Sequence, residues 1–163
     1  MIDYDDDDED YEEEEAEAEP GPLKLDLKEL MFAYRDDGPD NAYYLDTTTG
    51  AIKLVNRSLF DLRELTDEVE RHRYKYKYVP KPDRREVPDD LRAFMSTVED
   101  EKLKNILSMA FESPHVLSSF KKIIESSPEE RARLDNFLNR LTRERLETWL
   151  KANFIEYQWI ENP

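Results

Sequence analysis

The sequence contains no cysteine, only three glycines and only two histidines in 163 residues. Without cysteine the chain has no disulfide, no thiolate zinc site and no cysteine nucleophile. Three glycines are too few for the glycine-rich loops that commonly hold phosphate groups. No apolar run approaches the roughly 18 residues of a transmembrane helix, and the acidic N-terminus is unlike a secretory signal peptide. These absences predict a cytoplasmic protein that does not enter a membrane.

The N-terminal segment lacks basic residues and is almost entirely acidic. From Asp3 to Glu19 it reads DYDDDDEDYEEEEAEAE, with six Asp and seven Glu, and it carries most of the net charge of −16. A run of like charges repels itself and buries little apolar surface, so residues 1–20 are predicted to be disordered. A polyanion of this kind binds cationic surfaces, which predicts a basic partner, either another protein or a basic segment of this chain.

The remainder of the chain, residues 21–163, has the length of one ordinary domain with its own core. Pro20, Gly21 and Pro22 separate it from the acidic segment. Further along, Pro80, Pro82 and Pro88 form a stiff connector. A single domain is therefore predicted, with two lobes joined near residues 80–88 as the alternative.

Three segments show the alternation of a β-strand. They are a hairpin over 41–55, the segment 74–78, in which tyrosine alternates with lysine, and the segment 154–160. In the hairpin turn, Asp46 can accept hydrogen bonds from backbone amides and Gly50 can adopt positive φ. The pattern predicts a small antiparallel sheet in which 154–160 pairs with either the hairpin or 74–78.

Helical patterns surround these strands and fill the C-terminal half. Asp26 and Glu29 resemble a capping box at the start of a helix over 27–35, and a second helix is predicted over 58–70. From residue 88 to 153 apolar residues recur at helical spacing. Pro114 and Pro128 are placed where helices would begin. The predicted fold class is therefore α+β, a small sheet with a helical C-terminal half.

The segment from Arg71 to Arg85, called the basic segment below, holds seven cations and one acid. Cations contact phosphate groups and aromatic rings stack on unpaired bases, so nucleic acid is a possible partner. Alternatively, 74–78 is a half-buried strand with its tyrosines inward and its lysines protecting an edge. The candidate residues for binding nucleic acid or another anion are Arg71, Arg73, Lys75, Lys77, Lys81, Arg84 and Arg85.

The acidic and basic segments of one chain are expected to attract each other. Tethering raises the effective concentration of the acidic segment at its own surface, and the attraction should weaken as salt is added. The acidic segment would then shield the basic segment until a stronger polyanion or a basic partner displaces it. Tyr4, Tyr11 and Trp159 are the aromatic residues predicted to contact a partner.

No pattern marks a catalytic residue, a cofactor site or a metal site. His72 and His115 are not at metal-ligand spacing, the chain has no G-x-S-x-G motif, and the acidic run lacks the glycine-centred spacing of a calcium loop. The sequence favours a non-catalytic interaction or regulatory protein. A nucleic-acid-associated protein that uses residues 71–85 and an enzyme with an unrecognised site are the alternatives.

The segment YYLDTTTG at 43–50, which follows LDLKEL at 25–30, resembles the bacterial uncharacterised protein family 0158. The resemblance covers most of residues 23–155 and implies a shared fold and a cytoplasmic bacterial protein of no established activity. The chain departs from the family at Ser118 and Ser119, where arginines are usual, and the final YQWIENP lies outside the common pattern. Further matching positions are Phe120, Lys121, Phe137, Trp149 and Leu150.

Overall fold

The computed structural model describes residues 21–56, 58 and 63–161. The predicted disordered segment 1–20 lies outside these residues. Within them the α+β prediction is confirmed. Helices fill most of the C-terminal half, and five short strands form two small sheets.

The larger sheet has three antiparallel strands in the order β3-β2-β4. The strands are β2 (Asn41–Asp46), β3 (Ile52–Asn56) and β4 (Tyr76–Tyr78). Tyr44 of β2 lies opposite Lys53 on one side and Tyr78 on the other. The hairpin and the tyrosine strand are therefore confirmed, although the latter is shorter than 74–78 because residues 72–75 form a turn.

The hairpin turn uses Asp46 and Gly50 as predicted. The Asp46 carboxylate accepts hydrogen bonds from the backbone amides of Thr48 at 2.9 Å and Thr49 at 3.3 Å, and Gly50 has a φ of 78°. A Cβ atom at position 50 would lie 2.5 Å from the carbonyl oxygen of Lys24. Glycine is therefore required both by the positive φ and by the close approach of a neighbouring strand.

That neighbouring strand, β1 (Leu23–Leu25), forms a separate two-stranded parallel sheet with β5 (Tyr157–Trp159). A strand within 154–160 is confirmed, but the predicted pairing with the hairpin or with 74–78 is wrong. Leu23 lies opposite Tyr157 and Leu25 opposite Trp159. The pairing was missed because a strand of only three residues shows too little alternation to be recognised in a sequence.

Six α-helices occur in the described residues. Helix α1 matches the predicted range, and the Asp26 carboxylate caps it by accepting hydrogen bonds from the amides of Lys28 and Glu29. Residues 59–62, part of the predicted second helix over 58–70, lie outside the described residues, as does residue 57. The bounds are α1 (Leu27–Arg35), α2 (Arg63–Arg71), α3 (Glu86–Met95), α4 (Glu101–Ser108), α5 (Val116–Ile124) and α6 (Pro128–Ala152).

Prolines have different roles at three of the helix starts. Pro128 occupies the first position of α6, as predicted. Pro114 instead precedes His115, the N-cap residue of α5, so its predicted position is wrong by two residues. Pro88 lies in the first turn of α3, which begins at Glu86. A proline is tolerated there because the first amides of a helix have no acceptor within the helix.

The buried side chains form two main clusters, both of which include residues from α6. The sheet-side cluster contains Leu25, Leu30 and Leu45 together with Leu146 and Leu150 of α6. The helical cluster contains Leu91, Phe94, Phe120 and Ile124 together with Leu134 of α6. Helix α6, which is 25 residues long, therefore contributes buried side chains to both clusters and joins them.

Helix α6 ends in a Schellman motif that has phenylalanine where glycine is usual. The amide of Phe154 donates to the carbonyl of Lys151, and the amide of Ile155 donates to the carbonyl of Leu150, both at 3.0 Å. Phe154 has a φ of 57° and is 95% exposed. Its side chain therefore gains little from burial while its Cβ is strained by the left-handed backbone.

Replacing Phe154 with glycine is expected to raise the free energy of unfolding by about 0.5–1 kcal/mol, because the strain is removed and almost no contact is lost. Phe154→Ala is the matched control, since it also removes the ring but keeps the Cβ atom. Urea unfolding of the three proteins measures the difference. Equal midpoints for the glycine and alanine variants would show that the backbone at this position is not strained.

Candidate functional site

The structure divides the seven cations of the basic segment among a helix end, a turn, a strand and a connector. Arg71 ends α2, while Arg73 and Lys75 lie in the turn that follows it. Lys77 is in β4. Lys81, Arg84 and Arg85 lie between β4 and α3.

Two of these cations are held by contacts within the fold. The Lys75 ammonium lies 3.5 Å from the Asp46 carboxylate and 5.1 Å from the centroid of the Tyr76 ring. The Lys81 ammonium donates hydrogen bonds of 3.2 Å to the carbonyls of Asp36 and Gly38. Burial by itself raises the pKa of Asp46, but the Thr48 and Thr49 hydrogen bonds and the Lys75 charge lower it below its usual value. Both lysines therefore stabilise loops around the three-stranded sheet.

The arginines of the basic segment are on the surface. Arg71, Arg73, Arg84 and Arg85 are all exposed, and none of them forms an ion pair with another described residue. Lys77 is half-buried and likewise has no ion-pair partner in the described part of the chain. Five of the seven candidate cations are therefore available to an anionic ligand.

The tyrosines of the basic segment do not share one environment. Tyr76 is buried, and its hydroxyl donates to Glu68 at 2.9 Å. Tyr78 is half exposed, with its ring against that of Tyr44. Tyr74 is 79% exposed and lies in the turn, where its ring contacts His72 edge to face. Tyr76 therefore belongs to the core, whereas Tyr74 presents an aromatic surface beside exposed arginines.

The first described residues line a groove that also contains a cation of the basic segment. Gly21 and Pro22 lie in this groove with Lys24, Lys77 and Phe154. Glu156 is the acidic residue in its lining. The acidic segment ends at Glu19, two residues before Gly21, which lines the same groove as Lys77.

A separate cleft of about 170 Å³ opens between α1, α3, α5 and α6. Its apolar lining comes from Pro82, Val87, Leu117 and Leu138. Ionisable side chains from all four helices also line it. A mostly apolar cleft with a few polar groups is the usual form of a small-molecule site.

One side of this cleft is a closed hydrogen-bond network centred on Arg145. Its guanidinium donates two bonds of 2.6 Å to the Asp90 carboxylate and lies 3.2 Å from Glu86. The Tyr34 hydroxyl donates to the same Glu86 oxygen at 2.5 Å. Burial and this hydrogen bond to Glu86 raise the pKa of the Tyr34 phenol. In this network the guanidinium donors of Arg145 are already bonded to Asp90 and Glu86, so Arg145 has little capacity left to bind a ligand.

The other side of the cleft has cations without such partners. Arg35 is exposed overall, and it donates to the neutral Thr142 hydroxyl at 3.0 Å. Burial lowers the pKa of its guanidinium, and the charge of Asp135 opposes that shift. Lys121 lines the same cleft, and its side chain makes no hydrogen bond or ion pair with any described residue. Asp135 is the carboxylate on this side, and it lies 3.8 Å from Arg131.

Sequence reasoning did not identify this cleft, because its polar groups are far apart in the chain. Tyr34 and Glu86 are 52 residues apart, and Asp90 and Arg145 are 55 apart. One local signal was present. Thr142 is a buried polar residue on the α6 face that also carries Leu134, Leu138 and Leu146.

The structure also places the two histidines and one of the aromatic residues that were predicted to contact a partner. His72 and His115 are exposed, and no group of three metal-ligating side chains occurs among the described residues. Trp159 is half-buried in β5, where its ring packs against Tyr157 and the sheet-side cluster. Tyr4 and Tyr11 lie outside the described residues.

Comparison with known proteins identifies the family. The fold is an α+β arrangement with two small sheets, a long C-terminal helix and a cleft lined by apolar and ionisable side chains. The sequence model of the uncharacterised protein family UPF0158 matches residues 20–162, so the chain belongs to that family. The match is longer than the resemblance over 23–155 and, contrary to expectation, includes β5 and most of the final YQWIENP.

Neither a curated protein nor a solved structure matches the chain. In the part of the chain that the structure describes, every helix is too short or too polar to span a bilayer.

Proposed function

We propose that this chain is a non-catalytic interaction protein of the bacterial cytoplasm whose acidic segment, Asp3–Glu19, covers its own basic segment. The observation that supports this most directly is the groove shared by Gly21 and Lys77. The polyanion ends two residues before Gly21, and one cation of the segment that it would cover lines the same groove as Gly21. A basic partner would bind the acidic segment and thereby expose the basic segment.

Charge and reach both favour this arrangement. The acidic segment has thirteen carboxylates, and five cations of the basic segment lack ion-pair partners among the described residues. Each residue of the acidic segment adds at most about 3.5 Å of reach, so the segment is long enough to extend along the surface from Gly21. Because the two segments are tethered, their contact does not depend on protein concentration.

A nucleic-acid-associated role is the second candidate, and the exposed Tyr74 favours it. Stacking on an aromatic ring contributes about 1–3 kcal/mol per base in single-stranded complexes. Tyr74 is exposed next to Arg73, so one ligand can contact both a ring and a cation. Single-stranded RNA would then compete with the acidic segment for the same surface.

The proposal predicts that neutralising the acidic segment exposes the basic one. In the full-length chain, all thirteen carboxylates of residues 3–19 are replaced by amides, and binding of a single-stranded oligouridylate is measured. The neutralised chain is expected to bind at least about tenfold more tightly than the wild type at low salt. With five phosphate contacts, a plot of log affinity against log salt should have a slope of about −3.5.

Controls separate the two candidate functions. Adding Arg73→Gln and Arg84→Gln to the neutralised chain should reduce the slope, whereas Lys102→Gln and Lys122→Gln, which are exposed elsewhere, should not. Tyr74→Ala should weaken RNA binding but leave heparin binding unchanged, because heparin has no bases. Equal RNA affinities for the wild type and the neutralised chain would contradict the shielding. Absence of RNA binding by both would remove the nucleic-acid candidate.

A further inference from the structure

The charged side chains on the two sides of the cleft between α1, α3, α5 and α6 differ in how many ion pairs they form. On one side, Arg145 satisfies Glu86 and Asp90 through three short contacts. On the other side, Arg35 and Lys121 have no carboxylate within ion-pair distance among the described residues. This side also holds one carboxylate, Asp135, whose charge acts on Arg35 without ion-pair contact. Two cations and one carboxylate therefore leave one positive charge in excess on this side of the cleft.

The unused cations are positioned to hold an anion. Arg35 is fixed by its 3.0 Å bond to Thr142, which leaves the remaining guanidinium donors for a ligand. Lys121 reaches the cleft from α5 and adds an ammonium group. Asn139 supplies an amide on α6, three residues before Thr142. Hydrogen bonds from charged donors to an oxyanion are about twice as strong as neutral ones.

The rest of the cleft suits an apolar body of limited size. Val87, Leu117 and Leu138 contribute apolar surface next to the cations. The volume of about 170 Å³ is close to that of a protein cavity that accommodates benzene, about 150 Å³. A ligand with one ring, or an aliphatic body of similar size, therefore fits the space.

We propose that this cleft binds a small organic anion, whose carboxylate or phosphate is held by Arg35 and Lys121 and whose apolar body packs on Val87, Leu117 and Leu138. The Arg145 network does not contact the anion. It closes the opposite wall and offsets one of the two carboxylate charges there, which lessens their repulsion of the ligand. The cleft shares Pro82 with the basic segment, but none of the seven cations of that segment lines it, so the site does not depend on the shielding proposed above.

Benzoate and phenyl phosphate test the site as probes with different anionic heads and the same ring. Titration into the full-length protein, followed by amide chemical shifts, is expected to move signals of residues 117–121 and 138–142, with Kd on the order of 1 mM or tighter. Benzyl alcohol, which is neutral, and benzylamine, which is cationic, should bind at least about tenfold more weakly, because they lack the charged hydrogen bonds. A preference for one anion over the other identifies the head group.

Matched lysine variants make the test specific. Lys121→Gln should weaken binding of the preferred probe about tenfold or more, whereas Lys122→Gln, at an exposed neighbouring position that does not line the cleft, should change it less than about twofold. Arg35→Gln should act like Lys121→Gln. The proposal is overturned if neither anion binds, if benzyl alcohol binds as tightly as benzoate, or if Lys121→Gln and Lys122→Gln have the same effect.

Discussion

Replacement of Phe120 with alanine is expected to lower the free energy of unfolding by about 3–5 kcal/mol. Phe120 is completely buried in the helical cluster, where its ring lies 6.2 Å from that of Phe94 and 6.1 Å from that of Phe111. The substitution removes a whole ring and leaves a cavity that neighbouring helices fill only in part. Phe32→Ala is the control, because Phe32 is 68% exposed and its loss should cost less than about 1 kcal/mol.

The same variant tests whether residues 21–163 behave as one domain or as two lobes. Both tryptophans, Trp149 and Trp159, pack against the sheet-side cluster, so their fluorescence reports on that part of the fold. Circular dichroism reports on the helices, most of which surround the helical cluster. Because α6 contributes to both clusters, Phe120→Ala is expected to shift the two urea midpoints together. A shift in the helical signal with an unchanged tryptophan midpoint would instead establish two lobes.

Replacement of Arg145 with methionine is expected to lower the free energy of unfolding by about 2–3 kcal/mol. Breaking a fully buried ion pair by removing one partner costs about 3–5 kcal/mol. We expect a smaller loss here because the Arg145 side chain is 32% exposed. The variant leaves Glu86 and Asp90 close together without their shared cation. Their side chains are only 17% and 13% exposed, so water neutralises the repulsion incompletely.

A neighbouring arginine provides the control for this prediction. Arg143 forms an exposed ion pair with Glu147 on the same helix, and Arg143→Met should cost no more than about 0.5 kcal/mol. The penalty of Arg145→Met should decrease in the triple variant that adds Glu86→Gln and Asp90→Asn, because the two carboxylate charges are then absent. A penalty of the same size in the triple variant would mean that packing, and not charge, explains the role of Arg145.

Local signals in the sequence were sufficient wherever a residue acts on its immediate neighbours. Asp26 caps α1 through amides two and three residues away, and Asp46 organises a turn in the same way. Pro128 begins α6 as its fixed φ favours. The long apolar pattern of the C-terminal half likewise predicted helices, although it did not show that α6 is one continuous helix of 25 residues.

Sequence patterns did not predict contacts between segments that are far apart in the chain. The strand β1 pairs with β5, more than 130 residues later, and neither strand exceeds three residues. The alternating tyrosines predicted one buried face, yet the turn at 72–75 exposes Tyr74 while Tyr76 remains in the core. The environment of a side chain in a short strand depends on where the strand begins, which local pattern does not determine.

By itself, the sequence determined the separation of charge, the fold class and the family, because these depend on composition, periodicity and a recognisable set of residues. Only the tertiary structure decided which charged side chains form ion pairs within the fold and which remain available to a ligand. It pairs Lys75 with Asp46 and Arg145 with Asp90, and it leaves Arg35 and Lys121 in a cleft without a carboxylate in ion-pair contact. Pairing between charges depends on distances of a few ångströms between residues that lie far apart in the chain, and such distances are set by how the helices pack.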